Sequence, residues 1–261
     1  MNKEVVKVVD WLKMNRLSLN LKKTHFIIFR RTRGKLLLNK ELRIDNKKIS
    51  LTNQTKFLGV KLDQNLTFSN HIQFTKGKVA RSVGILHKCK YLVNNQTLLS
   101  LYYAFSYPYF NYCISVWGNT YPTLLLPLIR LQKRVLRIVA GVPRLAESAP
   151  IYANFKILTI RNIYIFSIQS FLFRYQNGKL PDIFDHFYSL NSDIHEYNTR
   201  QTHSFHTPLS MSPQKRSSVR SSGVVFNNYF IKHISYNCSY ATYKKKLKHH
   251  ILTNDLIAIF K

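Results

Sequence analysis

The chain has 261 residues, with 40 Lys and Arg against 11 Asp and Glu, a formal net charge of +29. Such an imbalance makes the chain repel itself and favours a polyanionic partner, whose phosphates release counterions on binding. Yet 45% of the residues are hydrophobic and 13% aromatic, which excludes a disordered basic tail and points to core-bearing structure, one large domain or two small ones.

Taken in chain order, Val5, Val8, Val9 and Leu12 fall on one face of a helix that ends near Asn15. The stretch "THFIIF" (Thr24–Phe29) reads as a buried strand. "ELRIDNKKISL" alternates Leu42/Ile44 and Ile49/Leu51 about Asp45, Asn46 and Lys47, a hairpin pattern. "KFLGVKLD" (Lys56–Asp63) reads as the next strand, with Gly59 bare in its middle. A glycine inside a strand marks a place where another backbone or a ligand comes close. Residues 1–65 are thus expected to form a small α/β unit.

Helical periodicity follows. Ile72, Val79, Val83 and Leu86 recur at helical spacing between Ser69 and Tyr91, and the cap-like "NNQT" (Asn94–Thr97) opens a helix running to Pro108. After Pro122 comes a helix with Leu124, Leu128, Leu131, Val135 and Ile138 on one stripe, stopped by Gly141 with Pro143 beyond it. A further helix, Ile160 to Gln176, ends before Gly178. From His203 to Gly223 the composition turns to Ser, Pro, Arg and His, the mark of an exposed basic linker, and "SYATYKKKLKHHILTN" supplies a last helix. The expected class is α+β, mostly α-helical. Its regions are 1–65, a helical 66–200, a linker 201–225 and a closing helical segment 226–261.

The catalytic inventory is thin. Two-metal phosphoryl transfer needs carboxylates converging on one site. No two of the eleven acids are adjacent, and Asp10, Asp45 and Asp63 read as surface or turn residues. Asp182 and Asp185, after Pro181, read as caps of a helix start, and "DIHEYNTR" as a structural loop. Cys238 with His249 and His250 makes at most half a zinc site. Cys89, Cys113 and Cys238 are far apart and odd in number, which argues against a disulfide framework and for a reducing compartment. The start of the chain is charged, unlike a signal peptide, and the longest apolar stretch, Ile163–Phe173, is too short to span a bilayer. The expectation is an intracellular protein of nucleus or cytoplasm, not secreted and with no membrane partner.

The basic residues, by contrast, are organised. Arg130, Lys133, Arg134 and Arg137 are three or four apart and face away from the leucine stripe, so they make either one ridge for a phosphate backbone or a solvated helix face.

Together, "WLKMNRLSLNLKKTHFIIF", "KFLGVKLDQNLTFSNHI", "LLSLYYAFSYPYFNYCISVWG", "LIRLQKRVLRIVAG", "YNTR" and "YKKKLK" resemble the end of non-LTR retrotransposon reverse transcriptases of the jockey type, downstream of the catalytic Asp-Asp box. The resemblance implies that 1–65 is the end of a polymerase palm, with Lys23 and Thr24 in a helix-to-strand turn beside the active site. It makes Phe57, Leu58 and Gly59 the primer grip, a hairpin whose backbone holds the primer's end, where Gly59 is bare either because nucleic-acid backbone passes over it or because it admits a neighbouring helix or strand. Residues from Ser69 onward would be thumb and post-thumb. The family's box would precede residue 1, so the chain is expected to be a truncated element product. It would bind RNA, DNA or an RNA–DNA hybrid, carry no catalytic acids, hold none of the parent family's magnesium and not polymerise alone. The alternatives are a free-standing basic RNA-binding protein in host use and a non-functional remnant.

Overall fold

The computed structural model describes residues 2–30, 41–44, 47–194, 197, 200–207, 218–254 and 256. The chain divides into two compact units, Met1–His71 and Ile72–Lys261. Helices outweigh short strands, in keeping with a mostly helical α+β chain.

In the first unit, helix α1 (Asn2–Met14) packs on strand β2 (Arg43–Ile44). Val5 and Val9 turn toward Leu42, Ile44 and Ile49, with Leu21 and Phe26 completing the cluster. Val8, expected on that face, is exposed, while Val5, Val9 and Leu12 are half-buried. The expected buried strand 24–29 shrinks to β1 (His25–Phe26), which pairs in parallel with β4 (Ser50–Leu51). The 42–51 hairpin forms as expected: β2 pairs antiparallel with β3 (Lys47–Lys48), Ile44 opposite Lys47. Its turn residues Asp45 and Asn46 lie outside the described residues. Leu51 departs from the alternation and is exposed, because at Ser50 the chain leaves the hairpin to join β1.

"KFLGVKLD" is not one strand but two. β5 (Gln54–Phe57) and β6 (Val60–Asp63) pair antiparallel with Phe57 opposite Val60, leaving Leu58 and Gly59 as a two-residue turn. Both have positive φ, +44° and +82°, the signature of the primed turns that match strand twist. Gly59 is therefore bare because the turn demands a left-handed residue. Asp63 then redirects the chain: Oδ2 accepts from the backbone and hydroxyl of Thr67, each at 3.0 Å, and Oδ1 from the Phe68 amide at 2.8 Å. The expected turn role of Asp63 is thus a specific one.

The second unit is an assembly of helices. α2 (Ser69–Cys89) buries Ile72, Val79, Val83 and Leu86, as its spacing predicts. Asn94 caps α3 (Asn95–Phe105) by accepting from the Thr97 amide at 2.8 Å. That helix does not run on to Pro108: it breaks at Ser106, and the short α4 (Tyr107–Asn111) and α5 (Ile114–Trp117) follow. Next come α6 (Pro122–Ala140), α7 (Ala149–Asn154) and α8 (Ile160–Gln176), with Thr159 capping α8 and Gly178 at φ +59° just beyond it. α8 lies at the centre, against α4, α5, α6, α9 (Val219–Phe230) and α10 (Tyr240–Thr253).

The basic-linker expectation for 203–223 is corrected at both ends. Phe205 is buried and stacks on Tyr188 at 4.8 Å between ring centroids, and from Val219 the chain is helical, capped by Ser218. Aromatic stacking and a Ser cap override the Ser- and Arg-rich composition there; residues 208–217 lie outside the described residues. Asp182 opens only a 3-10 turn (Asp182–Phe184) and makes no cap hydrogen bond.

Candidate nucleic-acid interface

The stripe predicted on α6 is rotated in the structure. Leu128, Val135 and Ile138 are buried as expected, but they are joined by Leu125, Gln132, Leu136 and Val139, while Leu124 and Leu131 are half-buried. The reason is Gln132. Its Nε2 donates to the Leu158 carbonyl at 3.0 Å and to the Tyr102 hydroxyl at 3.3 Å, and its Oε1 accepts from the Tyr152 hydroxyl at 3.0 Å and the Ile160 amide at 3.1 Å. A satisfied amide can be buried, and this one ties α6 to α3, α7 and the start of α8.

The opposite side of α6 forms one wall of a groove of about 920 Å³. Arg130, Arg134 and Arg137 line it together with Lys76 of α2, Lys90 of the turn after α2 and Arg144 of the segment after α6. Those six cations, with His87, have no acidic neighbour among the described lining residues. Lys133 does not line the groove: at about 100° per residue it is turned away from its neighbour Arg134, to the far edge of the basic face. Leu131, expected on the core side, lines the groove instead.

The end of α6 shapes the groove's mouth. Gly141 at φ +68° reverses the chain, the Gly141 amide donates to Ile138 and the Val142 amide to Arg137, a Schellman closure. Arg137 Nε then donates to the Ala146 carbonyl at 2.6 Å, fastening the returning segment. Arg137 therefore has a structural task, whereas Arg130 and Arg134 are exposed. Among the described residues, the ion pairs (Lys7–Glu4, Arg43–Glu41 and Lys48–Glu41) all lie in the first unit. Lys76, Lys90 and Arg144 could not be read as part of the site from sequence, since they come from elements far apart in the chain.

In the first unit the structure brings the other expected residues to neighbouring segments. Lys23 and Thr24 end a turn whose amides both donate to Asn20 O at 3.0 Å. The next residue, His25, contacts Thr55 Oγ1 through Nε2 at 2.7 Å, two positions from Phe57. Phe57 and Leu58 form the hairpin tip, 62% and 73% exposed. Two features of this hairpin work against its own stability. A leucine at φ +44° is disfavoured by its Cβ, and Lys56 stands directly opposite Lys61. Strain and like charge kept at an exposed tip mark a candidate contact surface.

Among the described residues no three His, Cys, Asp or Glu side chains are grouped to hold an ion. Cys238 Sγ donates to the Ser235 carbonyl, and His250 sits against His233 at 5.3 Å between ring centroids. His195 and Glu196 of the "DIHEYNTR" loop lie outside the described residues. No described helix is long and apolar enough to cross a membrane.

Comparison with known proteins gives one direction. The chain is 24% identical over 159 residues to the "Probable RNA-directed DNA polymerase from transposon X-element" of Drosophila melanogaster. The match covers 58% of this chain, and the chain spans 17% of that protein's length. The likeness supports a reverse-transcriptase-related region. No family model matches the chain, and no solved structure does.

Proposed function

We propose that the chain is a fragment derived from a non-LTR retrotransposon reverse transcriptase, and that it binds a primed template, a duplex with a single-stranded overhang, without polymerising. The first unit is read as the palm's end with the β5–β6 hairpin as primer grip, and the second as thumb and post-thumb. The observation that carries the proposal is the groove: three arginines from one helix and three further cations from other elements, with no acid among the described lining residues. Arg130 to Arg137 spans about 10 Å at 1.5 Å rise per residue, enough to follow successive phosphates. The expected lack of synthesis rests on the scatter of the acids along the sequence, no two of which are adjacent.

Binding through phosphates positions a strand without reading its sequence, and it weakens steeply with salt. The Arg130→Glu, Arg134→Glu double variant should flatten the slope of log affinity against log salt by roughly one unit for each phosphate no longer neutralised. Fluorescence anisotropy on a primed RNA template, with wild type and variant titrated in parallel, reads this directly. Coincident slopes would mean that the arginines are only a solvated face.

A further inference from the structure

Phosphate contacts alone do not account for the groove's lining. Tyr91 and Leu145 stand on it 79% and 93% exposed, with half-buried Leu131 between the arginines. A surface that met only a duplex backbone would need cations and hydrogen-bond donors there, and would gain nothing from leaving a tyrosine and a leucine in water. Grooves for single strands combine the two elements seen here: a cationic track for the backbone and aromatic faces on which unpaired bases stack, tolerant of sequence because every base has a π-face. Lys90 Nζ lies over the Tyr91 ring at 4.5 Å from its centroid, so a cation covers one face of the platform. The ring's high exposure leaves the rest of it to a ligand.

We infer that the groove takes the single-stranded part of a nucleic acid, with Tyr91 as a stacking platform for an unpaired base, Leu145 and Leu131 as apolar contacts beside it, and Arg130 and Arg134 on the phosphates. The inference rests on the nucleic-acid reading of the same groove. It adds that the groove distinguishes a strand with free bases from one without.

The test uses the full chain and three probes at one salt concentration: a short single-stranded oligoadenylate, an abasic strand of the same length, and a blunt duplex. Wild type should bind the oligoadenylate about tenfold more tightly than the abasic strand. Tyr91→Ala should remove most of that difference while changing duplex and abasic binding less than twofold, and Tyr91→Phe should restore it. Tyr91 is exposed, so a thermal melt matching wild type is expected, and the Phe variant controls for any local change. Arg130→Glu with Arg134→Glu should weaken binding to all three probes. If the arginine variant weakens all three but the oligoadenylate and abasic strand bind wild type equally, the stacking inference falls and the phosphate reading stands. If the arginine variant changes none of them, both fall.

Discussion

In the unit from Ile72 onward, side chains as large as Trp117, Tyr102, Phe110 and Phe173 are almost wholly buried, whereas the unit ending at His71 encloses a cluster of Leu42, Ile44 and Ile49 edged by half-buried Val5, Val9, Leu21 and Phe26. The first unit also leaves Trp11, Met14, Leu17 and Phe29 at least half in water. Burial of apolar area is the main favourable term in folding, and small units have the least of it relative to chain entropy. The two regions therefore differ in kind. The helical unit holds its groove on a well-packed frame, while the strand unit carries its exposed hairpin on a marginal one.

The largest effect should come from breaking the helical frame at the buried polar joint built on Gln132. Gln132→Ala leaves the Tyr152 hydroxyl, the Leu158 carbonyl and the Ile160 amide without their partner and opens a cavity beside Tyr102. A destabilisation of about 2–4 kcal/mol is expected from unpaired buried polar groups together with the void. Hydrogen exchange read by mass spectrometry should show protection falling across α3, α6, α7 and α8, with β1 to β6 unchanged. An equal fall in both units would mean that they fold as one cooperative body, and the contrast between them would disappear.

How much of this could be read beforehand follows the same contrast. Several helix ends were legible, since Asn94, Gly141 and Gly178 are residue types whose backbone or capping chemistry fixes a boundary. The face of α6 was only partly so. Its apolar residues outnumber what one stripe can hold, and Gln132 reads as a surface residue until its four partners are in place. The hairpin at Leu58 and Gly59 was implied by the resemblance alone; residue types hid it, because Leu58 is not a turn residue by type, and Asn-Gly or Asp-Gly would have announced it. Three of the six groove cations were missed for a simpler reason: proximity in the fold leaves no period in the sequence.

Gly59 sharpens the strand unit's side of the comparison. At φ +82° a β-branched side chain is strained whatever stands nearby, so Gly59→Val should cost about 1–3 kcal/mol in the β5–β6 hairpin. Gly59→Asn should cost less than the valine, because asparagine tolerates the left-handed region. Urea titration followed by exchange of the β5 and β6 amides measures both. Valine tolerated as well as asparagine would show that the turn is not held in this geometry. A fall in stability also means that weakened nucleic-acid binding by the valine variant alone would not isolate a contact at the hairpin tip.

A smaller effect should appear with pH, where at most one proton is at stake. His71, buried at the first turn of α2, accepts from the Lys61 amide through Nδ1 at 3.4 Å. Burial first, and the Lys61 charge second, push its imidazolium below the ordinary value of 6.5. Between the depressed folded value and 6.5, the unfolded chain binds the proton more readily than the folded one, so stability rises with pH over that window. The contribution is complete above 6.5 and drains away as the pH falls through the folded value. Protonation would also turn Nδ1 from acceptor to donor and set it against the Lys61 amide. Exchange of the β6 amides in wild type should therefore be protected a unit above 6.5 and speed up, beyond the intrinsic pH trend, a unit below it. His71→Gln, which keeps an acceptor without a titrating group, should remove the extra dependence. Protection that stayed level or improved on acidification in wild type would show that the imidazole is not held neutral, and the packing assigned to the start of α2 would have to be redrawn.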